Sequence, residues 1–384
     1  MIAIFESLLQ ESIDRKASDL HISATKPPYL RCHGELISKK NEAWTPSGME
    51  SLLNELLNDQ QRQAFERERS LDLAYSLKSN DRFRLNLFYE RNTPALAVRR
   101  LNDQIQDYES LNLPPVLDKI PELTDGLVLI TGPTGSGKST TLAATIDKIN
   151  RTKPYHIITI EDPIEQVHHS DRCLIHQREL YRDVPSYFQG VKDALREDPD
   201  ILLVGEMRDP ETMRAAITAA ETGHLVFSTL HTGDAVGSVN RILGGFSADE
   251  QRTLRHQLSM VLRAVVSQHL VPTATRDQRV PIIEVLWSTK PVANHIRTGR
   301  VEQIYSIMES GTQFGMLTRE QALAEHVFSG LITLDEAMRL AREPKALVDR
   351  LQMKQQDAEE EALAKMETAE GSDFLEYETE LEKV

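Results

Sequence analysis

Gly132-Pro133-Thr134-Gly135-Ser136-Gly137-Lys138-Ser139 decides how this chain is read. Its spacing is G-x-x-x-x-G-K-[ST]. In that pattern glycines let backbone N–H groups approach phosphates, the lysine reaches the β/γ-phosphates and the hydroxyl ligates Mg²⁺. The flanks agree with it. Gly126-Leu127-Val128-Leu129-Ile130-Thr131 is a short apolar run of the kind that makes a buried strand, and Thr140-Thr141-Leu142-Ala143-Ala144-Thr145-Ile146 can open a helix. Strand, glycine loop and helix start together make a nest of N–H groups at a positive helix end. The candidate ATP-binding residues are therefore Gly132, Pro133, Thr134, Gly135, Ser136, Gly137, Lys138, Ser139 and Thr140, with Ser139 placed toward Mg²⁺.

Outward from this loop the chain divides by pattern. From about residue 122 to 288 strands and helices alternate, with strands expected at 127–130, 156–160, 201–204 and 225–229. Such alternation implies an α/β fold, a mostly parallel sheet with helices on both faces. Residues 1–101 read as a smaller α+β domain. It has a helix over 4–13, strands at 19–22 and 29–32, a helical stretch over 45–66 that opens with Thr45-Pro46, and alternating strands at 71–75, 82–88 and 95–101. Residues 102–121, polar and then Leu113-Pro114-Pro115, read as the linker. Residues 289–354 read as a helical C-terminal region, with helices at 291–296, 301–308, 318–328 and 334–342, and no internal repeat is visible.

Composition narrows the function classes. At 384 residues two or three domains are expected. No apolar run reaches the ~18 residues that span a membrane. Met1-Ile2-Ala3-Ile4-Phe5-Glu6 has no basic n-region, so no signal peptide is expected. Cys32 and Cys173 support neither a disulfide framework nor a four-cysteine zinc site. A soluble cytoplasmic protein is the expectation. The formal net charge is −15, and much of it lies in residues 355–384, which hold eleven acids against two bases. That segment reads as a flexible acidic tail or an acidic docking peptide. With an acidic chain and 5% aromatics, nucleic acid is not an expected partner.

Three further stretches carry chemistry. Asp200-Ile201-Leu202-Leu203-Val204-Gly205-Glu206 delivers an acid to the C-terminal end of a strand, where open α/β sheets bind ligands. Glu206 is thus a candidate to orient or deprotonate the attacking water. Ile160-Glu161-Asp162-Pro163-Ile164-Glu165 is a second acid cluster behind a strand, suited to Mg²⁺ directly or through water. Glu161 and Glu165 are both candidates there, and the spacing does not rank them. Thr222-Gly223-His224-Leu225-Val226-Phe227-Ser228-Thr229-Leu230-His231-Thr232 sets a histidine at each end of a strand. His231, at the ligand edge, is a candidate γ-phosphate sensor, and His224 lies at the opposite end. Arg82, Arg84 and Arg100 on the N-terminal strands are candidates to neutralise transition-state charge, or are solvated strand faces.

In order, these four stretches resemble the Walker A, Asp box, Walker B and His box of the secretion ATPase superfamily (GspE/PulE-type). The runs Leu195-Arg196-Glu197-Asp198-Pro199-Asp200-Ile201-Leu202-Leu203-Val204-Gly205-Glu206-Met207-Arg208-Asp209 and Ala220-Glu221-Thr222-Gly223-His224-Leu225-Val226 are similar to the type IV pilus retraction ATPases, the PilT/PilU group. Ala17-Ser18-Asp19-Leu20-His21 and Gly315-Met316-Leu317-Thr318 extend the likeness to roughly residues 1–345. The resemblance implies a PAS-like N-terminal domain, a RecA-like ATPase domain and a ring hexamer with ATP and Mg²⁺ between the domains. It also implies an inner-membrane pilus platform protein as partner, a position at the inner face of the inner membrane, and retraction and twitching motility as output.

Two features depart from the group. Its motif A-I-R-N-L-I-R-E stands here as Pro291-Val292-Ala293-Asn294-His295-Ile296-Arg297-Thr298, with alanine at the first arginine position and threonine at the glutamate position. The acidic tail also runs past the usual end. Both lean toward the accessory, PilU-like branch that works beside a second retraction ATPase, while the core reads more like PilT, and the branch stays open. Rival readings are a pilus assembly or type II secretion ATPase, many of which carry a four-cysteine module, and a non-catalytic nucleotide-gated adaptor, against which Lys138 and Glu206 stand.

Overall fold

The computed structural model describes residues 1–32, 34–39, 43–79, 81–101 and 104–356. The tail reading falls almost wholly on residues 357–384, outside the described residues.

The N-terminal part of the chain builds α1 (Ile2–Asp14), β1 (Asp19–Ser23), β2 (Tyr29–Cys32), β3 (Glu35–Ser38), α2 (Pro46–Leu56), α3 (Asp59–Glu68), β4 (Ser70–Ser76), β5 (Arg82–Glu90) and β6 (Thr93–Arg100). The six strands form one antiparallel sheet in the order β3-β2-β1-β6-β5-β4. Helical spacing in α1 and α2 turns Phe5, Leu8, Met49 and Leu52 onto the strand face that carries Leu20, Ile22, Leu85 and Leu87. The helical stretch expected over 45–66 is two helices. Thr45 caps the first through Gly48 N–H, and Asn58 with Gln61 forms a reciprocal capping box that starts a second. β3 was also absent from the expected strands.

Residues 104–121, read from sequence as a connector, are packed. Tyr108, Leu113, Leu117 and Ile120 are buried against the second sheet, and Tyr108 Oη shares a 2.7 Å hydrogen bond with Thr145 Oγ1.

The second sheet follows: β7 (Gly126–Thr131), α4 (Lys138–Thr152), β8 (His156–Glu161), β9 (Leu174–Glu179), α5 (Tyr187–Ala194), β10 (Ile201–Val204), α6 (Pro210–Glu221), β11 (Leu225–Leu230), α7 (Ala235–Gly244), α8 (Ala248–Val261), β12 (Leu262–Pro272) and β13 (Arg279–Trp287). Strand order is β13-β12-β7-β11-β10-β8-β9. All neighbours are parallel except the β12–β13 hairpin. β7, β10 and β11 are buried throughout, as strands covered on both faces must be. Along them residues alternate between two cores. Leu127, Leu129, Leu202 and Val226 face α6 and α8, while Val128, Ile130, Leu203 and Phe227 face α4 and the 108–120 segment.

α9 (Lys290–Thr298), α10 (Ile304–Ser310), α11 (Arg319–Phe328) and α12 (Leu334–Leu340) follow, and a further helical stretch covers residues 344–356. α11 and α12 pack on the far end of the hairpin through Val271, Ile282, Leu323 and Ala337. The architecture is the expected one, an antiparallel α+β unit followed by a parallel α/β unit with helices after it.

Candidate functional site

β7, β11, β10 and β8 lie side by side and run parallel, so their C-terminal ends form one edge. Each of the four motifs leaves the sheet there: the glycine loop from β7, Glu206 beyond β10, His231 beyond β11 and the acid cluster from β8. This is the edge where open α/β sheets bind ligands.

The glycine loop is tightly backed. Gly132 has φ +147°, and a Cβ there would stand 2.2 Å from the Gln268 carbonyl oxygen. Gly137 has φ +89°, and its Cβ would meet Gln268 Nε2 at 2.7 Å. Gln268, buried on β12, accepts a 2.8 Å hydrogen bond from Thr141 Oγ1, so the neighbouring strand braces both the loop and α4. Lys138 Nζ donates to the carbonyls of Gly132 (2.9 Å) and Pro133 (3.1 Å). Burial pulls its pKa down, opposed by Glu206 and Glu165. Ser136 Oγ is buried without a hydrogen-bond partner among the described residues. An orphaned donor beside a lysine, in a loop where Gly132 and Gly137 leave no room for a Cβ, fits a phosphate chain.

Opposite the loop, Glu206 uses both oxygens. Oε1 meets His231 Nε2 at 3.0 Å and Oε2 accepts from Arg208 Nε at 2.8 Å. Glu161 Oε1 accepts from Thr159 Oγ1 (2.7 Å) and Gln177 Nε2 (3.1 Å), and burial pushes its carboxyl up to about 7. Burial also pushes Asp162 up to about 6, with Arg208 opposing.

The N-terminal unit closes over this edge. On β5, Phe83, Leu85 and Leu87 face the helices, so Arg82 and Arg84 face the other way. Arg82 donates to the carbonyls of Ile164 (2.7 Å) and Glu165 (3.2 Å). Arg84 Nη1 meets Glu165 Oε1 at 3.0 Å and Nη2 reaches Asp72 at 3.3 Å. The result is a cleft of roughly 630 Å³ lined by Thr134, Gly135, Gly137, Lys138, Ser139 and Thr140, by Glu161, Glu165, Glu206 and His231, and by Arg84.

Three catalytic candidates from the sequence do not join the cleft lining. His224 lies at the N-terminal end of β11, a strand's length from His231, and its Nδ1 is 3.0 Å from the Ala219 carbonyl. Arg100 pairs with Asp81 at 2.6 Å, because alternation along β6 turns it away while its neighbour Arg99 lines the cleft. Arg82 meets the acid loop's backbone rather than the cleft. Arg99, Arg208 and Arg279 are cleft cations that sequence reasoning did not pick. Arg208 had a signal, two residues past Glu206. Arg279 and Gln268 had none, because they sit on a hairpin that was not read as strands.

Residues 1–383 match the family described as Type II/IV secretion system protein. The chain belongs to that family. It is 42% identical over 338 residues to the type IV pilus retraction ATPase PilT of Pseudomonas aeruginosa, covering 88% of this chain and 98% of PilT. It is 38% identical over 334 residues to the type IV pilus ATPase PilU of the same organism, covering 87% of each. The crystal structure of the pilus retraction motor PilT with bound ADP shares the fold at a TM-score of 0.79 and 40% identity, over 89% of this chain and 98% of that one. As a secretion-family member the chain is a nucleotide-binding ATPase with a RecA-like core. No helix among its described residues is long and apolar enough to cross a membrane.

Proposed function

We propose that this chain is the ATP-hydrolysing motor of type IV pilus retraction and twitching motility, acting as a homohexamer on an inner-membrane platform protein from the cytoplasmic face. The observation that carries this reading is the meeting of four strand-end motifs and an N-terminal arginine in one cleft, on a chain aligned with PilT along 88% of its length. Working divisions are 1–101 for the PAS-like domain, 102–121 for the connector, 122–288 for the ATPase core, 289–354 for the helical region and 355–384 for the acidic tail.

In this reading ATP is the substrate. Backbone N–H groups of 132–140 and Ser136 Oγ hold the phosphates, and the Lys138 ammonium moves from its two carbonyls to the β/γ-phosphates. Ser139 and Glu161, with Glu165 beside them, are the residues that would hold Mg²⁺, which when bound neutralises charge on the phosphates. Glu206 orients and deprotonates the attacking water. His231 and Arg208 fix its carboxylate, one oxygen each. Arg84 ties the N-terminal sheet to Glu165, so a change at the acid loop is felt in the other domain.

Ala293 and Thr298 on α9 leave the principal and accessory roles to be separated by experiment. A strain lacking this gene, and a strain lacking it together with the host's other retraction ATPase, are complemented with wild type. Retraction in both strains makes the chain a principal motor. Retraction only in the first makes it an accessory that needs a second ATPase. Retraction in neither contradicts the proposal.

A further inference from the structure

His231 belongs to a short loop, residues 231–234, between β11 and α7. Its hold on Glu206 depends on how that loop is fixed. The Gly233 carbonyl, two residues on, accepts from two side chains: His269 Nε2 at 2.9 Å, and Arg319 Nη2. Arg319 is the first residue of α11, and its Nη1 reaches the Leu340 carbonyl at the end of α12 at 3.4 Å. A second guanidinium from the same region, that of Arg342, stands 3.9 Å from Asp234 Oδ1. The next N–H, of Ala235, donates to the buried Glu284 on β13 at 2.7 Å. The loop is thus pinned on its inner side by the hairpin and by the two helices that pack on it.

We infer that Arg319 is a positioning residue that fixes the His231 loop through the Gly233 carbonyl and thereby couples ATP turnover to the position of α11 and α12. The inference rests on the reading of His231 and Glu206 as parts of the catalytic site. A shift of α11 away from the hairpin draws the guanidinium from Gly233 and loosens the loop, which then keeps its holds on the hairpin, His269 and Glu284. The His231–Glu206 contact then loses its fixed geometry. In the other direction, a change at Glu206 during turnover is carried through two residues of backbone into the C-terminal helices. The coupling is a short chain of hydrogen bonds at a partly exposed junction, in which Arg319 joins the Gly233 carbonyl to the Leu340 carbonyl.

The test is a double-mutant cycle on the full chain, with kcat and KM for ATP measured for Arg319→Ala, His231→Ala and the pair, and amide hydrogen exchange followed over 231–236. Arg319→Ala is expected to lower kcat about tenfold with KM held within about twofold, and to speed exchange in the loop. Arg319→Lys, which keeps a cationic donor, is expected to recover most of kcat. In the His231→Ala background the Arg319 change should cost nothing further, since both act through one contact. Wild-type kcat in Arg319→Ala with low kcat in His231→Ala overturns this inference alone, and so do losses that multiply independently. Wild-type kcat in His231→Ala overturns the site reading beneath it and the inference with it. If Arg319→Ala does not assemble, Arg319→Gln carries the same cycle.

Discussion

Glu206 has each carboxylate oxygen engaged by a different side chain, His231 on one and Arg208 on the other. Such a carboxylate is pre-oriented, so its loss should fall on the chemical step and not on binding. Glu206→Gln is expected to bind ATP like wild type, with kcat lower by about 100-fold or more, while Lys138→Ala should lose nucleotide binding itself. Calorimetric titration beside a turnover assay separates the two, and equal turnover in Glu206→Gln and wild type would remove Glu206 from its role. Glu284 gives a second prediction at this scale. Burial pushes its carboxyl up to about 7, so the folded chain holds that proton more tightly than the unfolded chain. Its contribution to stability is greatest below the ordinary carboxylate range and is lost as pH rises through about 7. Glu284→Gln keeps an acceptor for Ala235 N–H and carries no charge. Its thermal midpoint should therefore fall less than that of wild type between about pH 5 and 8, and an unchanged pH slope would contradict this.

Among elements, the glycine loop and β12 form one unit. Gly132→Ala puts a methyl group 2.2 Å from the Gln268 carbonyl at a φ of +147°, so loop and strand must part. Nucleotide affinity should drop at least about tenfold, while Gly233→Ala, where a Cβ meets nothing within 4 Å, should leave it near wild type. Similar affinities for both variants would show that the bracing does not matter. This same element shows where the sequence was legible. The β7 run, the glycine spacing and the acid after β10 are local patterns, and they could be read directly. α11 was legible too, with Thr318 as its cap. The β12–β13 hairpin was not. In β12 the polar residues Arg263, Ser267, Gln268 and His269 fall among apolar ones without the alternation that marks a strand, and the strand follows α8 without a turn signal. β9 was missed for the opposite reason, since Leu174-Ile175-His176-Gln177-Arg178-Glu179 is a polar edge strand with an exposed leucine. Gln268, Gln177 and Arg279 went with them, because their roles exist only through pairing with distant strands. Arg100 is turned from the cleft by the alternation of β6, and His224 stands at the end of β11 opposite His231, where the sequence put it.

On the scale of the whole molecule, two sheets meet across the acid loop, joined by Arg82 to its carbonyls and by Arg84 to Glu165. Arg84→Ala should weaken that joint without unfolding either core, lowering kcat several-fold with little change in thermal midpoint. A variant that unfolds instead would make Arg84 a stability residue. Removing residues 355–384 is expected to leave ATPase activity largely intact, since every cleft residue lies upstream, and collapse of the assembly on truncation would contradict this reading of the tail. The measurement that bears most directly on the account is pilus retraction in living cells deleted for this gene, complemented with wild type or with Glu206→Ala. The account predicts that wild type restores retraction and that Glu206→Ala does not, at equal protein level. Retraction restored equally by both would contradict a motor driven by hydrolysis in this cleft.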